Sequence, residues 1–300
     1  MERLKPGSFR PITPIAMFVI IGALIVIGSV IGGYLLSHGK MQILFQPFEL
    51  LIILGAAIGT LLIANPLSVV IGVVKGMLGT LKGSHYTKAF YTEQLKMLNE
   101  LFTYARKNGL VKLEADVEEP DKSPLFANYK SLVSNHHALH FICDTLRMAI
   151  SGGVGHFEID QMMELDMEVH HHEAEEPVHA LNTMSDALPG LGIVAAVLGI
   201  VITMNSLGGP PEEVGHHVAA ALVGTFLGIL MCYGFFGPLA ANMGKITLAE
   251  KEYYNFLRVG LINFIKGSAP ILAAEFARRS IPAHVRPSFK EMEKAVKGGA

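Results

Sequence analysis

IAMFVIIGALIVIGSVIGGYLL, residues 15–36, carries no charged side chain. As a helix it can cross a bilayer, which takes about 20 mostly apolar residues. Working outward, a second apolar run extends from Leu50 to Val74, interrupted only by Asn65-Pro66. A third covers about 188–207 and a fourth about 218–243. The 300 residues are 51% hydrophobic and 17% charged, with a mean hydropathy of +0.42. Such an apolar surplus needs a lipid solvent or a very large core. No small-x-small cleavage site follows residue 36, so the first run reads as a span and not as a signal peptide. The 24 basic and 26 acidic residues nearly cancel, which excludes a global field for nucleic acid. Two cysteines, Cys143 and Cys232, cannot build a disulfide framework or a Cys-rich metal site.

Orientation follows from the Lys and Arg residues. Residues 1–14 carry Arg3, Lys5 and Arg10, the 37–48 loop carries Lys40 alone, and 75–184 and the tail from 244 carry ten each. All but Lys40 therefore lie on one side, the cytoplasmic one, together with both termini. The expected layout is a cytoplasmic extension (1–14), a transmembrane hairpin (15–74, spans about 15–36 and 50–74) and a cytoplasmic domain (75–184). A second hairpin (185–243, spans about 188–207 and 218–243) and a cytoplasmic tail (244–300) complete it. In Tyr91–Ala105 the residues Leu95, Leu98, Leu101 and Phe102 recur at helical spacing, and Leu132–Ile150 repeats the pattern. Strand signals are scarce. The fold class is an all-α membrane protein, with four transmembrane helices, a large helical domain between the second and third, and a helical tail.

An acid, His or Lys at mid-depth is the usual mark of an ion pathway, and these spans show none. Glu49 is read at the mouth of the second span, Asp186 at the mouth of the third and His216-His217 at the outer end of the fourth, where charge reaches headgroups or water. The last two spans are rich in small and hydroxyl residues, among them Gly192, Ala195, Ala196, Gly199, Thr203, Gly224, Thr225 and Gly228. Such residues suit close helix packing between copies or the wall of a narrow lumen. Pro189 and Pro238 are candidate hinges, although a proline near a helix end more often simply terminates it. If this chain conducts ions, the titrating group has to come from a partner helix.

In the soluble part, His170-His171-His172-Glu173 and the His136, His137 and His140 group read as solvated helical faces, because no HExxH or Cys/His spacing accompanies them. No metal or other cofactor is expected. No GxxxxGK[ST], GxGxxG or GxSxG stands in a workable context, so the chain does not read as an enzyme. Arg106-Lys107 and Glu114 flank an Asn108-Gly109 turn, and opposite charges on an exposed loop can steer a protein partner.

Several stretches, in order along the chain, resemble the MotA family of flagellar stator subunits. They are QPFEL (46–50), YTKA (86–89), FICDTLRMAISG (141–152) and FEI (157–159), then Leu188-Pro189 with GIVAAVLG (192–199). VGTFLGIL (223–230), YGF (233–235), PLA (238–240), AEFAR (274–278) and RPSF (286–289) follow. The N-terminal extension departs from the family. The resemblance implies a multi-pass protein of the bacterial inner membrane, forming a pentameric ring around a MotB dimer. The transmembrane helix of MotB would supply the ion-carrying aspartate. Carried over residue by residue, it implies that Thr225, with Ala195 and Ala196, lines the ion path. Pro189 and Pro238 couple ion passage to movement, Arg106 and Glu114 face a FliG-like rotor protein, and Glu49 matches a glutamate at the start of the second span. The Ala195-Ala196 pair favours protons over sodium, because sodium-driven relatives place a hydroxyl there. The alternative is an ExbB- or TolQ-like subunit energising the cell envelope, against which four spans and the RPSF tail argue. A metalloenzyme built on the histidines and a stand-alone channel are more distant readings.

Overall fold

A computed structural model of the chain describes residues 14–205, 208 and 210–297, and the regular structure there is entirely helical. Residues 1–13 of the expected extension, and Ser206 and Leu207 at the end of the third apolar run, lie outside the described residues. The first elements are α1 (Pro14–Leu36), α2 (Met41–Leu44), α3 (Pro47–Ala64) and α4 (Leu67–Thr80). Next come α5 (Lys88–Asn108), a 3-10 turn (Leu110–Leu113), α6 (Glu114–Glu118), a second 3-10 turn (Pro120–Lys122), α7 (Pro124–Ala127), α8 (Lys130–Val133) and α9 (His136–Ser151). The chain continues as α10 (His156–Asn205), α11 (Pro211–Met231), a π-helical segment (Cys232–Phe236) and α12 (Gly237–Ile265), and ends in α13 (Pro270–Ser280) and α14 (Phe289–Lys297). Among the described residues, four helical stretches are long and apolar enough to cross a membrane.

Local chemistry explains the boundaries. Asn65-Pro66 does more than interrupt the second apolar run. The residue before a proline is driven out of the helical region, and Asn65 is extended (φ −133°, ψ 147°), so 50–74 is two helices and not one. Thr87 caps α5 by accepting from the Phe90 N–H, and Asn135 caps α9 from Ala138. Asn135 thereby splits the 132–150 pattern into α8 and α9. Gly152 (φ 70°) and Gly153 (φ 81°) end α9 in the left-handed region before α10 opens.

The chain divides into two compact units, Met1–Gly83 with Ala174–Ile246, and Ser84–Glu173 with Thr247–Ala300. The divisions fall inside α10 and α12, which remain unbroken helices. In the first unit the core is built by Ile53 and Ala57 of α3, Val73 of α4, Leu181, Leu188 and Ala195 of α10, Cys232 of the π segment and Ala240 of α12. Pro177 of α10 packs on α4, where a Cβ on Gly72 would stand 2.7 Å from the proline Cγ. Phe18, Leu24 and Ile25 of α1 are 69%, 63% and 61% exposed, an apolar surface whose natural solvent is lipid.

In the second unit α5, α9, α12 and α13 share a core. Tyr91, Leu95, Leu98 and Phe102 of α5 meet Phe141 and Leu146 of α9, Tyr253, Phe256 and Leu261 of α12, and Ala273 and Ala277 of α13. Phe102 stacks on Phe264 at 4.4 Å between ring centres. A buried polar chain crosses this core: Tyr253 Oη donates to Gln94 Oε1 (2.9 Å), and Gln94 Nε2 donates to Ser131 Oγ (3.0 Å). Gln94→Leu should destabilise the protein by about 1–3 kcal/mol despite adding apolar surface, because the buried Tyr253 hydroxyl loses its acceptor. Thermal unfolding of purified protein checks this, and an unchanged midpoint would mean that the hydroxyl finds another partner. The tail motifs read in the sequence are structural. Arg278, joined by Arg279, bonds Glu275 and holds its carboxyl below the usual carboxylate range, while Arg278 Nη1 also donates to Pro287 O (3.0 Å). Ser288 and Glu291 form a capping box on α14, and Lys88 of α5 with Ser288 draws the Glu291 carboxyl down to about 2.

Candidate functional site

The small residues of α10 and α11 determine the geometry of the first unit. A Cβ on Gly192 would lie 2.9 Å from Gly224 O and 3.1 Å from Gly228 Cα, and one on Gly199 would lie 2.9 Å from the Ala221 methyl. A Cβ on Gly228 would lie 2.5 Å from Leu188 O. Gly192, Ala195 and Gly199 therefore run antiparallel to Ala221, Gly224 and Gly228 at near backbone contact. Most of this stripe is spent joining α10 to α11 within one chain, because only small faces allow so close an approach. The outward faces of α10 carry Ile193, Val197 and Val201, which are exposed.

Around Gly224 the predicted pathway residues converge. Its Cβ position is 3.3 Å from the Ala195 methyl, 3.5 Å from Ala196 N and 3.5 Å from Glu49 Cγ. Thr225, next in sequence and half-buried, has its Cα 3.3 Å from the Cβ position of Gly192. Glu49 differs from its sequence reading as a rim charge open to water. It stands in the first turn of α3, which lies against α11, and its Cγ sits 3.5 Å from the Cβ position of Gly224. Its Oε2 is buried without a hydrogen-bond partner among the described residues. In an apolar setting such an oxygen is costly unless something meets it in use. Asp186, by contrast, is exposed, and His217 lies 4.0 Å from Glu213 of its own helix.

Neither proline ends its helix, contrary to the commoner role weighed above. α10 runs through both Pro177 and Pro189, and the chain stays helical through Pro238. Each proline withholds one backbone donor, from Ser185 O at Pro189 and from Gly234 O at Pro238. The helix before Pro238 accommodates the loss by widening into the π segment, whose Cys232 O accepts from the Gly237 N–H. Ser185 Oγ then donates to the same Cys232 O (3.3 Å) and approaches Cys232 Sγ (3.6 Å). One hydroxyl therefore links the two proline sites. Sequence reasoning missed Ser185, since a lone serine in an apolar helix carries no signal by spacing.

Arg106 and Glu114 belong to the second unit, both exposed, at the end of α5 and the start of α6. Arg106 is also structural: its Nη1 donates to Ser268 O (3.1 Å) and Gly267 O (3.4 Å) at the end of α12. Among the described residues no group of three or more His, Cys, Asp or Glu side chains is arranged to hold a metal. His170 instead lies against His137 at 3.8 Å between ring centres, the rings tilted by 35°, and His137, desolvated and beside His170, is held below the usual imidazole range.

Comparison with known proteins gives these features a context. Residues 20–109 match the family described as motility protein A N-terminal, and residues 134–251 match the MotA/TolQ/ExbB proton channel family. Motility protein A of Escherichia coli (strain K12) is 40% identical over 281 residues, covering 94% of this chain and 95% of that protein. Chemotaxis protein LafT of Vibrio parahaemolyticus is 35% identical over 274 residues, covering 91% of this chain and 96% of that protein. Two solved structures share the fold. The C. jejuni MotAB structure has a TM-score of 0.73 at 19% identity, covering 91% of this chain and 98% of its own. The flagellar MotAB stator complex of Bacillus subtilis has a TM-score of 0.70 at 24% identity, covering 88% and 95%. With a relative this similar over nearly its whole length, the chain belongs to the motility protein A group of the MotA/TolQ/ExbB proton channel family.

Proposed function

We propose that this chain is the membrane stator subunit of a bacterial flagellar motor, a multi-pass inner-membrane protein with both termini in the cytoplasm. With a MotB-like partner it forms a proton channel whose flux generates torque. The observation that carries this reading is the convergence of Ala195, Ala196 and Glu49 on Gly224, the residue before Thr225, in a chain related to motility proteins over 94% of its length.

The mechanism follows from solvation. A ring of these chains, pentameric around a MotB-like dimer, presents a largely apolar wall to the aspartate of the partner. Ionised, that aspartate is expensive to move along the wall; once protonated it is not. The ring steps past it, and release of the proton to the cytoplasm restores the charge. One charge falling through 100 mV supplies about 2.3 kcal/mol, enough to bias a step that remakes a single hydrogen bond. The Ser185–Cys232 bond, between the donor gaps left by Pro189 and Pro238, is such a bond. Arg106 and Glu114 then meet a FliG-like rotor protein. The Ala195-Ala196 pair offers no hydroxyl to replace the hydration shell of a metal cation, which favours protons over sodium. An ExbB- or TolQ-like role is the weaker reading, given the match of 20–109 to a motility-specific family.

Deleting the gene should abolish swimming, and the affinity-tagged chain should retain a single-span partner with a periplasmic domain. In sodium-free medium at fixed pH, swimming of the complemented strain should persist and should stop on adding a protonophore. Arrest in sodium-free medium would overturn the proton assignment, and undiminished swimming of the deletion strain would overturn the function.

A further inference from the structure

The cytoplasmic tip carries a surface that the Arg106 and Glu114 pair does not exhaust. Gly109 (φ 84°) turns the chain out of α5. The 3-10 turn that follows buries Leu113 but leaves Val111 69% exposed. On the other side, Gly267 (φ 94°) ends α12 beside Lys266, which is exposed. Nη1 of Arg106 holds this second turn by the carbonyls of Gly267 and Ser268, which places the backbone of Lys266 one residue from the Arg106 contact. Among the described residues, Lys107, Lys112 and Lys266 have no carboxylate within ion-pair distance. Bringing unpaired cations together is repulsive in the free chain, and the arrangement becomes favourable only when an anionic surface meets it. An exposed apolar residue within a charged rim is also the anatomy of a docking surface.

We infer that the rotor contact is a composite surface, in which the α12–α13 turn with Lys266 and the apolar Val111 join Arg106 and Glu114, and that it receives a protein face with acidic groups for Arg106 and Lys266, a basic group for Glu114 and an apolar seat for Val111. The inference rests on the stator reading. Arg106 is then a positioning residue as well as a contact, because its Nη1 holds the turn that follows Lys266.

The experiment uses Lys266→Glu, Val111→Asp and Arg106→Lys in the complemented deletion strain, with a fluorescent fusion counting the units held at each motor. Lys266→Glu and Val111→Asp should each lower occupancy and stall torque by about three- to fivefold, as expected for exposed contacts. Membrane level and co-purification of the single-span partner should not change. Arg106→Lys keeps the charge but replaces the guanidinium that reaches the Gly267 and Ser268 carbonyls, and should give a smaller loss of the same kind. Occupancy and torque at wild-type level in Lys266→Glu and Val111→Asp would overturn the composite surface. Failure of the stator reading looks different: the deletion strain itself would still swim.

Discussion

Gly228→Val should abolish swimming and reduce assembly with the single-span partner to background. A Cβ at 228 would meet Leu188 O at 2.5 Å, Gly192 Cα at 2.9 Å and Gly192 N at 3.2 Å. All three are backbone atoms of α10, so no flexible side chain can move aside and the two helices must separate. Overpacking of this kind typically costs about 1–3 kcal/mol, and it rises when backbone has to shift. The damage spreads beyond the local clash, because the same seam sets Ala195 and Ala196 against Gly224, and Gly192 against Thr225. Gly55→Ala is the matched control. Nothing lies within 4 Å of its Cβ position, so the substitution should be neutral or slightly stabilising through helix propensity. Swimming speed and partner co-purification read both. A Gly228→Val strain that swims would mean that α10 and α11 are not closely packed in the working complex.

Glu49→Met should move stability and function in opposite directions. Oε2 of Glu49 is buried with no hydrogen-bond partner, and replacing the carboxyl by an apolar side chain of similar volume removes that penalty. A gain of about 1–3 kcal/mol is expected in the purified protein, seen as a higher unfolding midpoint in detergent. Swimming should fall by at least about tenfold, on the argument that a costly polar group survives at such a place because the transported ion or the partner meets it there. Glu49→Gln, which keeps the shape but not the charge, separates the two requirements. If charge matters, the Gln variant fails as the Met variant does. Should Glu49→Met be less stable than the parent and still swim, the residue would be a structural group of the α3–α11 contact and nothing more.

Much of this molecule was legible before any coordinates. Apolar runs such as 15–36 declare themselves because a bilayer asks only for length and absence of charge, and the Lys and Arg distribution carries the expected sidedness. The helical period in 91–105 and the glycines at 152 and 153 place soluble helices to within a turn, since each depends on neighbours a few residues away. Breaks such as Asn65-Pro66 are local too, and only their strength was underestimated. The resemblance, carried by ordered motifs such as GIVAAVLG and VGTFLGIL, supplied the identity of the family.

The arrangement around Gly224 was of a different kind. Glu49, Ala195 and Gly224 are far apart in sequence, and only the packing of α3, α10 and α11 brings them to one place. The same holds for Ser185 meeting the carbonyl of Cys232, for Arg106 holding the end of α12, and for Lys266 beside it. Sequence by itself determined the helices, their membrane character and their order, because those follow from solvation and from hydrogen bonds within a turn. Which small face meets which, and which polar atom is left without a partner, depended on how distant helices close against one another, and the tertiary structure alone decided it.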